Sequence, residues 1–319
     1  MVRMIGGKTR LLGIIGWPVA HSLSPAMHNA AAAHLDLDLV YLPLPVQPDQ
    51  LAPAVRGLAA LGFRGANVTV PHKESVIPLL DHVEPAAAAI GAVNTIVVSE
   101  QPSVVSAEPS AFSSQPSTTN TQPPDPRSQI PIPRLSGYNT DWSGFLADVQ
   151  ARGLEIVDRD TLVLGAGGSA RAVAYGVASA GGRVHLFARR EEQAQQIVTG
   201  LSSHCPAGSL AAHDWQALHG DDKWFDDATL VVNTTPVGMA PRADDSPWPE
   251  DLHLPEQAFV YDLVYNPTET RFMQQARAAG RGACNGLGML LRQGALAFEL
   301  WTGLEPDLNV MARPLQPDP

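Results

Sequence analysis

Residues 161–171 read Thr-Leu-Val-Leu-Gly-Ala-Gly-Gly-Ser-Ala-Arg, an apolar strand that runs through a glycine turn into a helix. Gly165 permits the tight turn, Gly167 lets the backbone approach a pyrophosphate, and Ala170 lets helix and strand pack closely. The helix N-terminus then turns its free amide donors toward the phosphates. Glycines in this order alone carry little information. Here a strand precedes them, a helix follows, and a second strand over Arg183–Phe187 ends where a βαβ unit requires. An ordinary βα turn is the plain alternative. The context instead predicts a Rossmann-type dinucleotide site at Gly165, Ala166, Gly167, Gly168 and Ser169.

The end of the second strand chooses the dinucleotide. NAD sites place Asp or Glu there to hold the ribose hydroxyls. This chain continues Ala188-Arg189-Arg190, and two guanidiniums suit a 2′-phosphate, which they grip with charge-assisted bonds. Glu191 follows and would reach a ribose hydroxyl if the loop turned differently. The reading is NADP(H), against the plain alternative of an Arg pair solvated on a surface loop.

With 319 residues the chain exceeds what one core usually organises, so two domains are expected. Before the glycine turn, strands are predicted at Leu11–Gly16, Val40–Pro45, Ala66–Val70 and Asn94–Val98. They alternate with helices at Ser24–Leu35, Gln50–Leu61 and near Pro85–Ile90, the pattern of an open α/β sheet. Ser99–Arg134 then holds eight prolines and eight serines with no apolar period, too little to offset its ordering entropy, and is expected to be a disordered insertion. Order resumes at Leu135–Tyr138, followed by a helix over Asn139–Gly153. Strands at Thr161–Leu164, Arg183–Phe187, Thr229–Asn233 and Phe259–Leu263 follow, then an apolar helix at Met289–Trp301.

A net charge of −11 argues against a nucleic-acid partner, which calls for a basic face. Cys205 and Cys284 show no metal-type spacing, so neither a zinc site nor a disulfide framework is expected. No apolar run has transmembrane length and the opening residues carry no signal-peptide pattern, so no membrane partner and a cytoplasmic location are expected.

Polar clusters sit at predicted strand ends in the first half, where open sheets bind ligands. Ser22 and Ser24 lie at a helix N-terminus and suit a carboxylate, although Ser24 alone could be a helix cap. Asn67-Val-Thr69-Val-Pro-His-Lys73 and Gly91-Ala-Val-Asn94-Thr95 follow, and Gly137-Tyr-Asn-Thr-Asp141 lies beyond the insertion. Lys73 stands out because 18 of the 21 basic residues are arginine. Arginine holds its proton at any working pH whereas lysine can be made to release one, which points to acid–base chemistry at Lys73. Asp141 suits a partner that orients the ammonium, with helix capping as its plain alternative.

Taken in order, these motifs resemble those of the shikimate dehydrogenase family. With them go Asn233-Thr-Thr-Pro-Val-Gly-Met239, Asp262-Leu-Val-Tyr265-Asn-Pro and Asn285-Gly-Leu-Gly-Met-Leu-Leu-Arg-Gln293. The likeness spans the chain except Ser99–Arg134 and the tail. It implies NADP-dependent, reversible reduction of 3-dehydroshikimate to shikimate on the route to chorismate and aromatic amino acids. It also implies an N-terminal open α/β substrate domain, a Rossmann-type dinucleotide domain and a cleft between them. The expected boundaries are 1–98 for the substrate domain, completed by a C-terminal helix at about 286–312, then 99–134 as insertion and 135–285 as dinucleotide domain.

By motif, Ser22, Ser24 and Tyr265 would hold the substrate carboxylate, and Thr69, Asn94, Asp141 and Gln293 its ring hydroxyls. Lys73 would be the acid–base group. Gly165–Ser169 and the turn Ala188, Arg189, Arg190 would hold the dinucleotide, with Leu263 and Gly286 beside the nicotinamide. Where the family usually carries Asn-Arg-Thr, this chain carries Ala-Arg-Arg followed by Glu191, and the insertion replaces a short hairpin. The rival readings are an NAD-using quinate/shikimate dehydrogenase, a methylenetetrahydrofolate dehydrogenase lacking the serine pair, and a non-catalytic NADP-sensing module. The last would have no need of Lys73 and Asp141. A monomer or a homodimer is expected.

Overall fold

A computed structural model describes residues 5–100, 133–219 and 223–315. The first sheet is laid down by β1 (Arg10–Gly16), α1 (Ser24–His34), β2 (Leu39–Pro45), α2 (Leu51–Ala60), β3 (Phe63–Val68), β4 (His82–Val83), α3 (Pro85–Ile90), β5 (Thr95–Glu100) and β6 (Pro133–Tyr138). Its strand order is β2-β1-β3-β5-β6-β4, parallel among β1, β2 and β3 and antiparallel where β5 meets β3 and β6.

Helix α4 (Asp141–Ala151) leads to the second sheet. There follow β7 (Asp160–Leu164), α5 (Gly168–Ser179), β8 (Arg183–Ala188), α6 (Glu191–Leu201), β9 (Leu210–Asp214), α7 (Lys223–Asp226), β10 (Ala228–Asn233), β11 (Phe259–Asp262), α8 (Arg271–Ala278) and β12 (Ala283–Asn285). The order β12-β11-β10-β7-β8-β9 is parallel throughout. Helices α9 (Leu287–Thr302) and α10 (Leu308–Ala312) end the chain.

The parallel strands show why their sequences lack alternation. All five residues of β7 are buried, because helices cover both faces of the second sheet. Phe145, Val173 and Ile197 from α4, α5 and α6 fill one side, and Phe187, Trp248 and Phe272 the other. On the first sheet, Met27 and Ala31 of α1 pack with Phe298 of α9 and Met311 of α10. The Trp301 indole N–H of α9 donates to the Ile96 carbonyl at 2.9 Å, which ties the last long helix to β5. Burial of each such large side chain is worth about 1.5–3 kcal/mol.

One expectation changes. Strand β6 pairs with β5 from Thr95 opposite Tyr138 to Glu100 opposite Pro133. Leu135–Tyr138, expected to open the dinucleotide unit, thus belongs to the first sheet. Ser99, Glu100, Pro133 and Arg134, expected within the insertion, lie in paired strand. Backbone pairing with a distant partner satisfies their N–H and C=O groups, and local composition does not register that. The remainder of the expected insertion, 101–132, lies outside the described residues.

The outer edge of β2 is closed by its own sequence. Alternate residues point their N–H groups toward β1 or away from it, and Val46, on the inward set, donates to Gly16 at 3.0 Å. On the outward set, Leu39 donates to Leu37 at 2.9 Å and Tyr41 donates to the Asn29 Oδ1 of α1 at 2.9 Å. The next two outward positions, Pro43 and Pro45, have no N–H.

Candidate active site

A cleft of about 1360 Å³ opens where the carboxyl ends of both sets of strands converge. Every residue given a catalytic, substrate or dinucleotide role by motif lines it, whereas Glu191, the alternative ribose contact, does not. From the first sheet come Ser22, Ser24, Thr69, Lys73 and Asn94. From the second come the Gly165–Ser169 turn, the Ala188–Arg190 turn, Leu263 and Tyr265. Asp141 enters at the start of α4, Gln293 on α9 and Gly286 just before that helix.

Lys73 sits in the turn after β3. The His72 ring is buried and its Nε2 donates to the Val46 carbonyl at 2.7 Å, while Val93 N–H donates to the Lys73 carbonyl at 2.8 Å. The backbone is thereby clamped from both sides, and Lys73 Nζ donates to Asp141 Oδ2 at 2.7 Å. The two side chains retain only 14% and 7% of their accessible surface. Asp141 begins α4, where a carboxylate is favoured by the helix dipole, and its N–H donates to Asn139 Oδ1 at 3.0 Å. Asn94 Nδ2 donates to the other carboxylate oxygen, Oδ1, at 2.8 Å and lies 3.3 Å from Gln293 Oε1.

At the start of α1, Ser24 N–H donates to Ser22 Oγ at 3.3 Å. The cap position is Leu23, and the helix has no side-chain cap, so the Ser24 hydroxyl is not used as one. Tyr265 faces the same space, and burial pushes its phenol up, which keeps it a hydroxyl donor.

On the dinucleotide side, Gly165 has φ +112°, and a Cβ there would lie 2.6 Å from Thr234 Oγ1, so only glycine fits. Gly167 faces open space, where a Cβ would meet nothing within 4 Å, and α5 begins beside it without a side-chain cap. Free helix donors, room and a backbone that can approach are what a pyrophosphate requires. Arg189 and Arg190 follow β8, both exposed, and neither has an ion-pair partner among the described residues. Gly286 is forced by contact: a Cβ would lie 2.3 Å from the Leu263 carbonyl oxygen. The two walls meet at Lys73, whose Cβ is 3.5 Å from the Cβ position of Gly168.

The motif residues that bear no ligand act beneath the surface. Asp262 is fully buried and accepts from Asn233 Nδ2 at 2.8 Å, Val264 N at 3.0 Å and Thr270 Oγ1 at 2.6 Å. Burial raises its carboxyl to about 6 against these donors. The network fixes the turns that carry Thr234, Thr235, Leu263 and Tyr265 into the cleft.

Two turns along α4 from Asp141, Asp148 accepts from Arg152 Nε at 2.7 Å, Tyr261 Oη at 2.7 Å and Arg292 Nε at 3.2 Å. Burial alone would raise this carboxyl, but the two guanidiniums and the phenol outweigh it and hold it below the usual range.

The motifs assign no role to Asn67, Thr234 and Thr235, and they give no sign of Trp17, Trp215 or Arg242; all six line the cleft. For the last three the residue type alone carries no signal, since Trp and Arg are ordinary at turns. No cluster of metal-ligating side chains occurs among the described residues.

Residues 14–96 match the pattern of the shikimate dehydrogenase substrate binding domain, and residues 286–315 that of the shikimate 5′-dehydrogenase C-terminal domain. The chain is 44% identical to a shikimate dehydrogenase (NADP(+)) of Moorella thermoacetica, covering 98% of this chain and 94% of that one. It is similar to the crystal structure of shikimate 5-dehydrogenase from Thermus thermophilus in complex with NADP(H) and shikimate. The TM-score there is 0.76 at 35% identity, over 96% of this chain and 98% of the other. The Listeria monocytogenes shikimate 5-dehydrogenase, in complex with shikimate and NAD, gives a TM-score of 0.80 at 32% identity over 99% of each chain. With a near-full-length relative at this identity and a substrate-domain match on the strands that carry the cleft, the chain belongs to the shikimate dehydrogenase family.

Proposed function

We propose that this chain is an NADP-dependent oxidoreductase that reversibly reduces 3-dehydroshikimate to shikimate, a step of chorismate and aromatic amino-acid biosynthesis. The observation that carries the reading is the largely buried Lys73–Asp141 pair, with Lys73 open to the cleft, 2.7 Å apart at the junction of the serine-lined wall and the glycine turn. Bound NADPH supplies the hydride. The open ground at Gly167, the uncapped start of α5 and Arg189 and Arg190, which have no ion-pair partner among the described residues, suit its phosphates.

Ser22, Ser24 and Tyr265 hold the substrate carboxylate, and Thr69, Asn94, Asp141 and Gln293 its ring hydroxyls. This orients the ketone oxygen on the Lys73 ammonium. As negative charge grows on that oxygen, the ammonium stabilises it and then transfers a proton from Nζ, leaving a neutral amine that regains a proton from solvent. In the reverse direction the amine takes the hydroxyl proton. Asp141 keeps Nζ on the ketone side and is never the proton's destination. Leu263 and Gly286 flank the nicotinamide position.

Two units support the reading: the first sheet with β6, α9 and α10, and the second sheet from β7 to β12. A cytoplasmic monomer or homodimer accompanies it, and among the described residues no helix is long and apolar enough to cross a membrane. The test is a steady-state comparison of shikimate and quinate, each with NADP and with NAD. The expected result is the highest kcat/KM for shikimate with NADP. A higher value for quinate with NAD would replace the reading by the quinate/shikimate alternative.

A further inference from the structure

Tyr41, Asn67 and Thr95 have no part in the reading above, yet hydrogen bonds join them to the Lys73–Asp141 pair. Tyr41 Oη donates to Asn67 Oδ1 at 2.6 Å. Asn67 Nδ2 donates to the Asn94 carbonyl and to Thr95 Oγ1, each at 3.1 Å. Thr95 Oγ1 donates to Asn94 Oδ1 at 3.0 Å, and Asn94 Nδ2 donates to Asp141 Oδ1 at 2.8 Å. All five residues are at most 5% exposed.

The chain of bonds has one direction only. The Asn94 carbonyl can only accept, so Asn67 must turn its amide nitrogen toward it and its oxygen toward Tyr41, which must then donate. Asn67 occupies the Thr95 oxygen with a donor, so the Thr95 proton goes to Asn94 Oδ1. That leaves Asn94 Nδ2 for the carboxylate, which also can only accept. Thr140 N–H, donating to Asn94 Oδ1 at 2.8 Å, enforces the same orientation. The first donor is itself fixed: burial pushes the Tyr41 phenol well up, with Ser24 beside it acting the other way. The His28 ring stacks on Tyr41 at 4.3 Å, and burial drives His28 down to about 3, so it packs as a neutral plate.

We infer that Tyr41 and Thr95 are positioning residues for the proton-transfer pair. Through Asn67 and Asn94 they fix which oxygen of Asp141 faces Lys73 and where Nζ stands relative to the substrate ketone. The inference rests on Lys73 being the acid–base group. Fully satisfied buried networks of this kind hold one geometry, and misplacement of a reacting group by about 1 Å can cost about 100-fold.

The test uses Thr95→Val, Thr95→Ser and Tyr41→Phe, each alone and combined with Lys73→Ala, in the full-length enzyme. Expected are a fall in kcat of about tenfold for Thr95→Val and about threefold for Tyr41→Phe, with Thr95→Ser close to wild type. Because Asn94 and Asp141 also hold ring hydroxyls, shikimate affinity by calorimetry without dinucleotide is expected to fall by less than kcat does, at unchanged stoichiometry. Neither change is expected to add to the Lys73→Ala loss. Wild-type kcat in Thr95→Val, an equal loss in Thr95→Ser, or a loss that multiplies on the Lys73→Ala background would overturn the inference. If Thr95→Val does not fold, Tyr41→Phe decides by the same three measures. Near wild-type turnover in Lys73→Ala alone would instead remove the reading on which the inference rests.

Discussion

Helix α4 carries two buried carboxylates, Asp141 and Asp148, two turns apart and 5% and 4% exposed, and they are treated differently. Asp141 faces one lysine and one amide, with the cleft beside it. Asp148 is enclosed by two arginines and a tyrosine, and a Cβ on the neighbouring Gly288 would strike its carboxylate. On the proposed reading, the chain places lysine where a proton is to be passed and arginine where a charge is to stay. At Asp148 the Arg292 guanidinium ties α9 to α4, the Tyr261 phenol ties β11 to it and Arg152 closes the end of α4. The single ammonium at Asp141, by contrast, remains able to turn toward a ligand. The same helix thus presents a reactive end and a structural end.

The largest expected effect comes from breaking the reactive end. Lys73→Ala is expected to lower kcat by about 10²–10⁴-fold, the usual worth of a positioned acid–base group, with little change in Tm. Lys73→Arg sharpens the contrast, because it keeps the charge beside Asp141 and removes the transferable proton. Its turnover is expected to be nearly as low, and a Lys73→Arg enzyme with more than a tenth of wild-type kcat would contradict the assignment.

Breaking the structural end is expected to do the reverse. Asp148→Asn strands two guanidiniums and is expected to cost about 3 kcal/mol of stability at neutral pH, with kcat per folded molecule within a few-fold of wild type. The sign with pH follows from the depressed carboxyl. Its contribution is present above the unfolded carboxylate range, near 4, and is lost as pH falls through the lower folded value. Denaturant melts of the two proteins are therefore expected to differ at pH 7 and to converge in acid. A gap that widens below pH 4 would show that Asp148 is not held ionised by its partners.

Arg189 and Arg190 form a third case, arginines in the cleft that have no carboxylate of their own among the described residues. Their joint replacement by Ala is expected to weaken NADP by about 2–3 kcal/mol, as loss of charge-assisted bonds does, and NAD far less. Equal losses in calorimetric titrations with the two dinucleotides would place the 2′-phosphate elsewhere.

The smallest effect is expected beyond β5. Because Glu100 stands opposite Pro133, an Asn-Gly turn can close the β5–β6 pair without residues 101–132. Strand β6 runs to within three residues of Asp141, so this replacement asks whether the reactive end depends on that segment. Shikimate affinity and kcat are expected within about twofold of wild type, since closing a shorter loop is slightly favourable. Loss of shikimate binding in a folded replacement would make 101–132 part of the site.

Legibility in the sequence follows the range of the interactions involved. The glycine turn, the longer apolar parallel strands and the place of Lys73 in the cleft are readable because each is specified locally, by a turn, by apolar runs or by an unusual choice of residue type. Strand β6 reads into the wrong sheet because its partner is separated from it by a Pro/Ser-rich stretch. Short β4, β9 and β12 and helices α6 and α8 escape the reading, since no long apolar period marks them. In the site, Tyr41 has the pattern of an inward residue of an ordinary strand. Its bond to Asn67 spans 26 positions, and only the packing of β2 and β3 beside β1 brings them together.

The closed edge of β2 bears on how copies of this chain meet one another. An exposed strand edge is a template on which another chain can lay its own backbone, and that is a common start of aggregation. A strand approaching β2 from outside would find the Leu39 and Tyr41 donors already engaged and none at Pro43 and Pro45. Growth of the first sheet past β2 is therefore blocked, whichever strand is offered. Two copies of the chain are thereby kept from joining backbone to backbone along β2, and that flank of the cleft-bearing sheet meets its surroundings through side chains alone.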